Sequence, residues 1–303
     1  MKKLILSAVL LATASLSSLA QEKGFYIKPT GSYFMKVTPV EFPAINGQLA
    51  RDKTTTITGT GASATTTTSE TALTGSFGQG FRAGLVGGYQ FNKIIGLEVG
   101  VNYFKSEGQD MLRQTVINNG TNVLSLHAVG KVKAFDVTPA LVFRIPNTGK
   151  FQPYSKIGVI VPVGGYLQIN TSVNDQTGQI AASQGTVSPP GTRTTLVLAR
   201  EERINPKPTI GFQSALGFDY KIGNNISLFS EIEYRNISVG GKDKELRKYD
   251  GTATVVVNAT NTSAGSKQLT LEDQPKGDRE VNYHKTINST MNVKGQPNYD
   301  PTK

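Results

Sequence analysis

One serine and one histidine have a spacing that nucleophilic chemistry could use. Ser125 and His127 lie two residues apart in an alternating segment, so a strand would place the hydroxyl and the imidazole on one face. Such a pair also needs an acid that orients the imidazole. Asp110, Asp175 and Asp243 fall in loops, and none has a protease-like spacing to a histidine. The sequence therefore favours a solvated surface histidine over a hydrolase centre.

A second candidate is the carboxylate pair Glu231 and Glu233, which also shares one strand face. Two such groups can divide acid and base roles in catalysis. Neighbouring segments carry Arg and Lys at matching positions, so structural ion pairs are the favoured interpretation. The sequence contains no cysteine and shows no metal, phosphate-binding or calcium-loop motif. We therefore expect a protein that is not an enzyme and that has no cofactor or metal.

These residues belong to segments of about ten residues in which apolar and polar side chains alternate. Phe81–Phe91 and Ile95–Tyr103 form one pair of such segments, and Ile210–Tyr220 and Ile226–Tyr234 form another. Very short connections lie within each pair, whereas long stretches rich in Thr, Ser, Asn and Gly separate the pairs. Short turns on one side and long loops on the other are typical of an antiparallel transmembrane β-barrel. We therefore predict an all-β fold.

Seven segments show this alternation with one lipid-compatible face. No later segment has a continuous apolar run long enough for a transmembrane helix. The predicted strands are Gly24–Val37, Phe81–Phe91, Ile95–Tyr103, Phe135–Arg144, Tyr154–Val163, Ile210–Lys221 and Ile226–Arg235.

The polar faces of these strands carry charges of both signs. Turning Arg or Lys toward the middle of the bilayer costs about 2–4 kcal/mol, so these side chains belong in the lumen. A small barrel is filled by its own side chains, so opposite charges should pair and leave no continuous channel. The predicted lumen polar network is Lys28, Arg82, Glu98, Asp136, Arg144, Lys156, Asp219, Lys221, Glu231, Glu233 and Arg235.

The first twenty residues have the organisation of a secretory signal peptide. Met1–Lys3 is basic, Leu4–Ala14 is apolar, and Ser18 and Ala20 are small residues before a cleavage site at Gln21. The alternative is a transmembrane anchor, but the apolar run is well short of the roughly 20 residues that span a bilayer. We therefore expect an exported mature chain, residues 21–303.

Several glycine- and aromatic-rich stretches together resemble a known family. These stretches are Gly24–Ile27, Gly84–Tyr89, Gly96–Gly100, Gly217–Tyr220 and Glu231–Arg235. The chain resembles small outer-membrane barrels of the OmpA/OmpX type, and more closely the short outer-membrane β-barrel proteins of Bacteroidota. The resemblance implies an eight-stranded up-and-down barrel in a Gram-negative outer membrane. Its implied partners are outer-membrane lipid, lipopolysaccharide and the barrel-insertion machinery.

The eighth strand of such a barrel is not obvious in this sequence. Family members usually end in a strand with a terminal aromatic residue, whereas residues 281–293 alternate less cleanly and lack that residue. This segment is either the closing strand or the descending arm of an extracellular hairpin. We favour the second interpretation, with the final strand outside this sequence, because an open edge in lipid leaves unpaired backbone groups.

Four long polar segments, about 38–76, 105–127, 168–200 and 238–280, are predicted to be extracellular loops. The tract Thr54–Thr68 is too polar to form a core, so we expect it to be mobile or weakly paired. Thr254–Val257, in contrast, indicates strands that continue beyond the bilayer. Loop-borne strands can pair with other proteins, so the leading expectation is a structural or adhesive protein that binds a surface protein or host ligand.

Two other functions remain open at the level of sequence. A small porin for small solutes would need a wider lumen, and a surface hydrolase would need a working serine and histidine. Lipid A deacylases use a His and a Ser on one strand, but Ser125 and His127 have the reverse order. The 32 basic and 22 acidic residues give a net charge of +10 without an aromatic-interleaved basic stripe, so no nucleic-acid partner is expected.

Overall fold

The computed structural model describes residues 13–16, 24–35, 40–42, 49–146, 148–183, 186–207, 209–223 and 225–283. Of residues 13–16 and 40 only the backbone is described. The strands are β1 (Thr13–Leu16), β2 (Gly24–Phe34), β3 (Val40–Glu41), β4 (Arg51–Thr58), β5 (Thr65–Ala72), β6 (Thr74–Gly75), β7 (Gly80–Gln90), β8 (Ile95–Ser106), β9 (Gln109–Asn118), β10 (Thr121–Arg144), β11 (Phe151–Asp175), β12 (Thr192–Lys207), β13 (Gly211–Lys221), β14 (Ile226–Asn236), β15 (Gly240–Val257), β16 (Ser263–Leu269) and β17 (Glu280–Asn282). The short helices are a 3₁₀ turn (Gly61–Ser63), α1 (Gln179–Ser183) and α2 (Lys276–Arg279).

All seven predicted strands are present and follow one another around an antiparallel sheet. The order is β14, β13, β11, β10, β8, β7 and β2, with each neighbour antiparallel. β7 and β8 are joined by residues 91–94, and β13 and β14 by residues 222–225. None of the helices in the described part of the chain is long and apolar enough to cross a membrane.

The alternation of the sequence separates two faces of this wall. On β2, Phe25 is 78% exposed and Ile27 is 54% exposed, whereas Lys28 on the opposite face is 2% exposed. A water-soluble protein would place these residues the other way round. The outer face is therefore the lipid face, and the inner face is the lumen.

Aromatic side chains form two bands on the outer face. Tyr33 and Phe81 lie with ring centroids 4.8 Å apart, and Tyr103 and Phe135 lie 4.9 Å apart. We call these four residues the upper aromatic band. Phe25, on the same strand as Tyr33, packs on Tyr89 near the short turns. Eight residues separate Phe25 from Tyr33, about 27 Å along an extended strand, which at a tilt of about 35–45° covers most of an apolar band about 25 Å tall.

Two strands continue far beyond the upper aromatic band. β10 has 24 residues and β11 has 25, and above the membrane their neighbours change. There β10 pairs with β9, and β11 pairs with β12, which in turn pairs with β15. We call this upper assembly, which ends in β5 on one side and in β16 on the other, the extracellular sheet. The expected strands beyond the bilayer are therefore present.

The expectation of an eight-stranded sheet is wrong. The main sheet has fifteen strands, because the segments between the membrane strands pair as strands instead of remaining loops. The described residues also leave the wall open: β1 pairs with β14 over four residues, and no ladder joins β2 to β1 or β14. β1 lies within the predicted signal peptide.

The threonine tract is also paired, contrary to expectation. β4 and β5 form an antiparallel hairpin in which Thr58 pairs with Thr65 and Arg51 with Ala72. β4 additionally runs parallel to β9, from Asp52 opposite Arg113 onward. Threonine is β-branched and favours extended backbone, so the tract forms strands without burying apolar surface of its own.

The candidate closing segment divides between two situations. Its first residues lie in β17, where Val281 pairs with Lys244 and Asn282 with Asp243 of β15. This contact places them in the extracellular sheet, as the hairpin interpretation expects. Residues 284–293 lie outside the described residues.

Candidate functional site

The lower layer of the lumen is organised around Lys28. Its Nζ lies 2.9 Å from Glu98 Oε1 and 3.6 Å from Asp219 Oδ1, and Arg144 also contacts Asp219. Lys156 Nζ bridges the layer, at 3.7 Å from Glu98 and 2.7 Å from Glu231. Every acid in this layer therefore contacts at least one base. This pairing offsets the large cost of burying each charge alone.

A second layer lies toward the extracellular side. Arg82 and Glu233 form two contacts, from Nη1 to Oε1 at 3.0 Å and from Nη2 to Oε2 at 2.9 Å. Arg235 Nη2 lies 2.9 Å from Asp136 Oδ1, and Asn102 donates a second hydrogen bond to that oxygen, also at 2.9 Å. The two-point contact is the strongest geometry available to an arginine and a carboxylate.

Ten of the eleven predicted lumen residues therefore form ion pairs inside the wall. The ten comprise five bases and five acids, so their formal charges cancel: Lys28, Arg82, Arg144, Lys156 and Arg235 with Glu98, Asp136, Asp219, Glu231 and Glu233. Lys221 differs. It is the last residue of β13, is half-buried, and forms no ion pair with the described residues.

Tyrosines complete the lower layer, although the predicted network did not include them. The Tyr26 hydroxyl donates to Glu98 Oε1 at 3.0 Å, and the Tyr154 hydroxyl donates to Glu231 Oε1 at 2.6 Å. Lys28 Nζ also lies 4.7 Å from the Tyr154 ring centroid. Gly217 leaves room for that ring, because a Cβ there would lie 2.8 Å from Tyr154 Cζ. The available signal was parity: both tyrosines alternate in phase with the lumen charges.

These side chains fill the lumen. Lys28, Glu98 and Asp219 are each 2% exposed, although a water-filled channel at this depth would leave them accessible. The arrangement can hold the wall strands together through polar contacts. It offers no space for a substrate between the two acids of the sequence hypothesis, Glu231 and Glu233, because Lys156 and Arg82 already occupy their carboxylates.

Above the charged layers the same inner face becomes apolar. On β10, Leu124, Leu126 and Ala128 are buried at positions in phase with Asp136. They join an extracellular apolar core that includes Met111, Leu112, Val116, Ile169, Val173, Leu196, Leu198, Leu246 and Tyr249. Burial in this core raises the pKa of the Tyr249 hydroxyl. The lumen is thus covered by a dry extracellular core.

The expectation that no acid orients His127 is wrong. His127 Nε2 lies 2.9 Å from Asp110 Oδ1, and Arg113 Nη2 lies 2.5 Å from the other carboxylate oxygen. β9 and β10 form a hairpin that brings these residues together across the strands, which linear spacing does not show. Ser125 makes no hydrogen bond with His127 in the described structure. Asp110, Arg113 and His127 therefore form a salt-bridge cluster at the surface.

The remaining candidate acids have structural contacts. Asp175 is buried and accepts hydrogen bonds from the backbone N–H groups of Thr177, Gly178 and Ile180, which shapes the turn after β11. Asp243 accepts a hydrogen bond from Asn205 at 2.5 Å. No group of three metal-ligating side chains occurs among the residues that the structure describes. His284 lies outside them.

A comparison with protein families matches residues 6–265 to the model of the outer membrane protein beta-barrel domain. The match covers most of the chain and includes all seven membrane strands. The chain belongs to the outer membrane protein β-barrel family. It is an integral outer-membrane barrel, as the exposed apolar face and the buried charges of its wall independently indicate. A search among curated proteins finds no match.

Proposed function

We propose that this outer-membrane barrel is a non-enzymatic anchor whose extracellular sheet binds another protein by strand addition. The observation that carries the proposal is β5: all eight residues from Thr65 to Ala72 are exposed, and within the described part of the chain the strand pairs on one side alone, with β4. An unpaired strand edge presents N–H and C=O groups that an extended segment of a partner can satisfy. A surface protein or a host ligand is the expected partner.

The composition of β5 supports this assignment. Natural edge strands are usually blunted by lysine, proline or a bulge. β5 contains neither lysine nor proline, and its pairing with β4 has no register shift. The opposite edge, β16, carries Lys267, and its pairing is shifted between Val255 and Val256. The two edges therefore differ, and β5 is the edge suited to a partner.

The wall beneath the sheet suits an anchor. Ten paired charges fill the lumen and an apolar core lies above them, so the small-porin alternative is less favoured. We also propose export by a signal peptide over residues 1–20 and membership in the OmpA/OmpX-like type found in Bacteroidota. The glycine- and aromatic-rich strand motifs support that type.

The test places lysines on the β5 edge. Cells that produce the full chain are compared with cells that produce T66K/T68K, and adhesion to an epithelial monolayer and cell-to-cell aggregation are counted. S263K/S266K on β16 is the matched control, since it adds the same charge at the other edge. We expect the β5 variant to lose about tenfold in adhesion or aggregation and the control to keep it. Equal binding by all three proteins would contradict the proposal.

The hydrolase alternative rests on one specific observation, the Asp110–His127 contact of 2.9 Å. An acid–imidazole pair is two thirds of a serine hydrolase centre. Arg113 competes for the same carboxylate, and the serine is not engaged with the ring. This function would require lipid hydrolysis by the purified chain that His127→Ala abolishes.

A further inference from the structure

Four basic side chains converge on the outer surface immediately above the membrane. Lys105 is the penultimate residue of β8, Lys131 and Lys133 lie on β10, and Arg203 lies on β12. Lys133 is the register partner of Lys105, and Gln168 of β11 is the register partner of both Lys131 and Arg203. Four adjacent strands therefore bring these residues side by side. We call them the basic groove.

The basic groove faces the same way as the lipid-exposed residues. Lys133 precedes Phe135 by two residues and Lys105 follows Tyr103 by two, so strand alternation puts the three lysines on the outer face. Arg203 shares this face, because it is the register partner of Gln168, which is the register partner of Lys131. Phe135 is 49% exposed and packs against Tyr103 in the upper aromatic band. Two residues of strand span about 7 Å, so Lys105 and Lys133 lie one such step above the ring level and Lys131 lies two steps above it. Aromatic bands mark the membrane interface, which places the groove at headgroup depth.

The side chains enclose space that a small anion could occupy. A groove of about 230 Å³ is lined by Lys105, Lys131, Lys133, Gln168 and Asn170. Tyr166 joins Arg203 to this group, because Arg203 Cζ lies 4.0 Å and Lys133 Nζ 5.7 Å from the Tyr166 ring centroid. The amides of Gln168 and Asn170 add polar groups beside the lysines.

The charges of the groove are not neutralised by neighbours. Lys105, Lys131 and Lys133 form no ion pair with any acid in the described residues. The acid that directly follows β8, Glu107, accepts hydrogen bonds from the Tyr33 hydroxyl at 2.7 Å and from Gln79 Nε2 at 2.8 Å. Glu201, which pairs with Asn170, bounds the groove on its upper side. This contrasts with the lumen, where the ten network charges are paired.

We propose that the basic groove binds the phosphate groups of a lipid in the outer leaflet. Lysine is a point-charge ligand for phosphate, and a basic cluster directly above an apolar band has its ligand's acyl chains beside it. The site is independent of β5 and of the proposed adhesion. Its ligand class is a phosphorylated membrane lipid, and the acyl chains distinguish it from free phosphate.

The test is a titration of the folded full chain in detergent micelles with lipid A, read by native mass spectrometry. Parallel titrations use dephosphorylated lipid A and inorganic phosphate. The variant is K105Q/K131Q/K133Q, and the matched control is K242Q/K248Q/K267Q, which removes the same charge from exposed lysines of the extracellular sheet. Heat-modifiable gel migration verifies that each protein is folded.

Each positive charge near a membrane surface contributes about fivefold to affinity, so loss of three should weaken lipid A binding about 100-fold. We expect the control variant to stay within about threefold of the starting chain and the dephosphorylated lipid to bind weakly. Equal loss in both triple variants would overturn the site, as would unchanged affinity in the groove variant. Binding of inorganic phosphate as tight as that of lipid A would also overturn it.

Discussion

Lys28 shows how this barrel accommodates a charge at membrane depth. Its ammonium contacts two carboxylates, and the Tyr154 ring packs against it. If one charge of such a group is removed, its partners remain buried in a low-dielectric site with no counter-charge to offset the cost. The lumen residues could be predicted from the sequence because alternation fixes the face of each side chain. The tyrosines share that phase, but phase alone does not say which hydroxyl reaches which acid.

Replacing Lys28 by methionine should therefore destabilise the barrel strongly. Breaking a buried ion pair by removing one partner costs about 3–5 kcal/mol, because Glu98 and Asp219 would lose a cation. Lys221→Met is the control, since Lys221 has no ion pair in the described structure, and it should cost under about 0.5 kcal/mol. Urea titration followed by heat-modifiable gel migration measures both. Equal midpoints for the two variants would refute the network's role.

At the scale of elements, the inner face of β10 is polar in one part of the strand and apolar in the other. Below the upper aromatic band that face bears Asp136, and above it the face bears Leu124 and Leu126. Lipid surrounds the first part and water surrounds the second. The apolar face of the strand therefore changes from the outside in the membrane to the inside above it. The sequence identified the membrane half by its period of two. It did not identify the upper core, because that core is assembled from strands distant along the chain.

The pairing of the threonine tract gives a direct test at this scale. The chain has no cysteine, so T54C/T115C would form a disulfide if Thr54 lies opposite Thr115 in the parallel β4–β9 ladder. We expect cross-linking in the folded protein, seen as altered migration that a reductant reverses. The offset pair T54C/N118C should cross-link poorly, because its Cα atoms exceed the reach of a disulfide. Similar cross-linking of both pairs would mean that the tract is unpaired.

On the scale of the whole molecule, the apolar extracellular core lies directly above the filled lumen. The sequence predicted the filled lumen from balanced inward charge, whereas the covering core needed the structure. Wall closure was not predictable, because seven clean strands and one ambiguous segment do not specify which strand lies beside β2. The seam between β14 and β2 is therefore the part of the wall that strand periodicity left undetermined.

This arrangement predicts that the barrel does not conduct. Purified full chain incorporated in a planar bilayer should give no stepwise current in 1 M KCl, since salt does not enter a lumen whose central charges are 2% exposed. A known porin measured in the same bilayer is the positive control. Reproducible conductance steps from the folded chain would favour the porin alternative and contradict the filled lumen.

The unbroken length of β10 has a mechanical consequence. Its 24 residues extend over about 80 Å, from the short turns on the inner side of the membrane to the extracellular hairpin. A partner bound to β5 pulls on β10 through β4 and β9. The force therefore reaches the membrane through hydrogen-bonded strands and not through flexible loops. The force that the anchor resists then depends on how many interstrand hydrogen bonds must break at the same time.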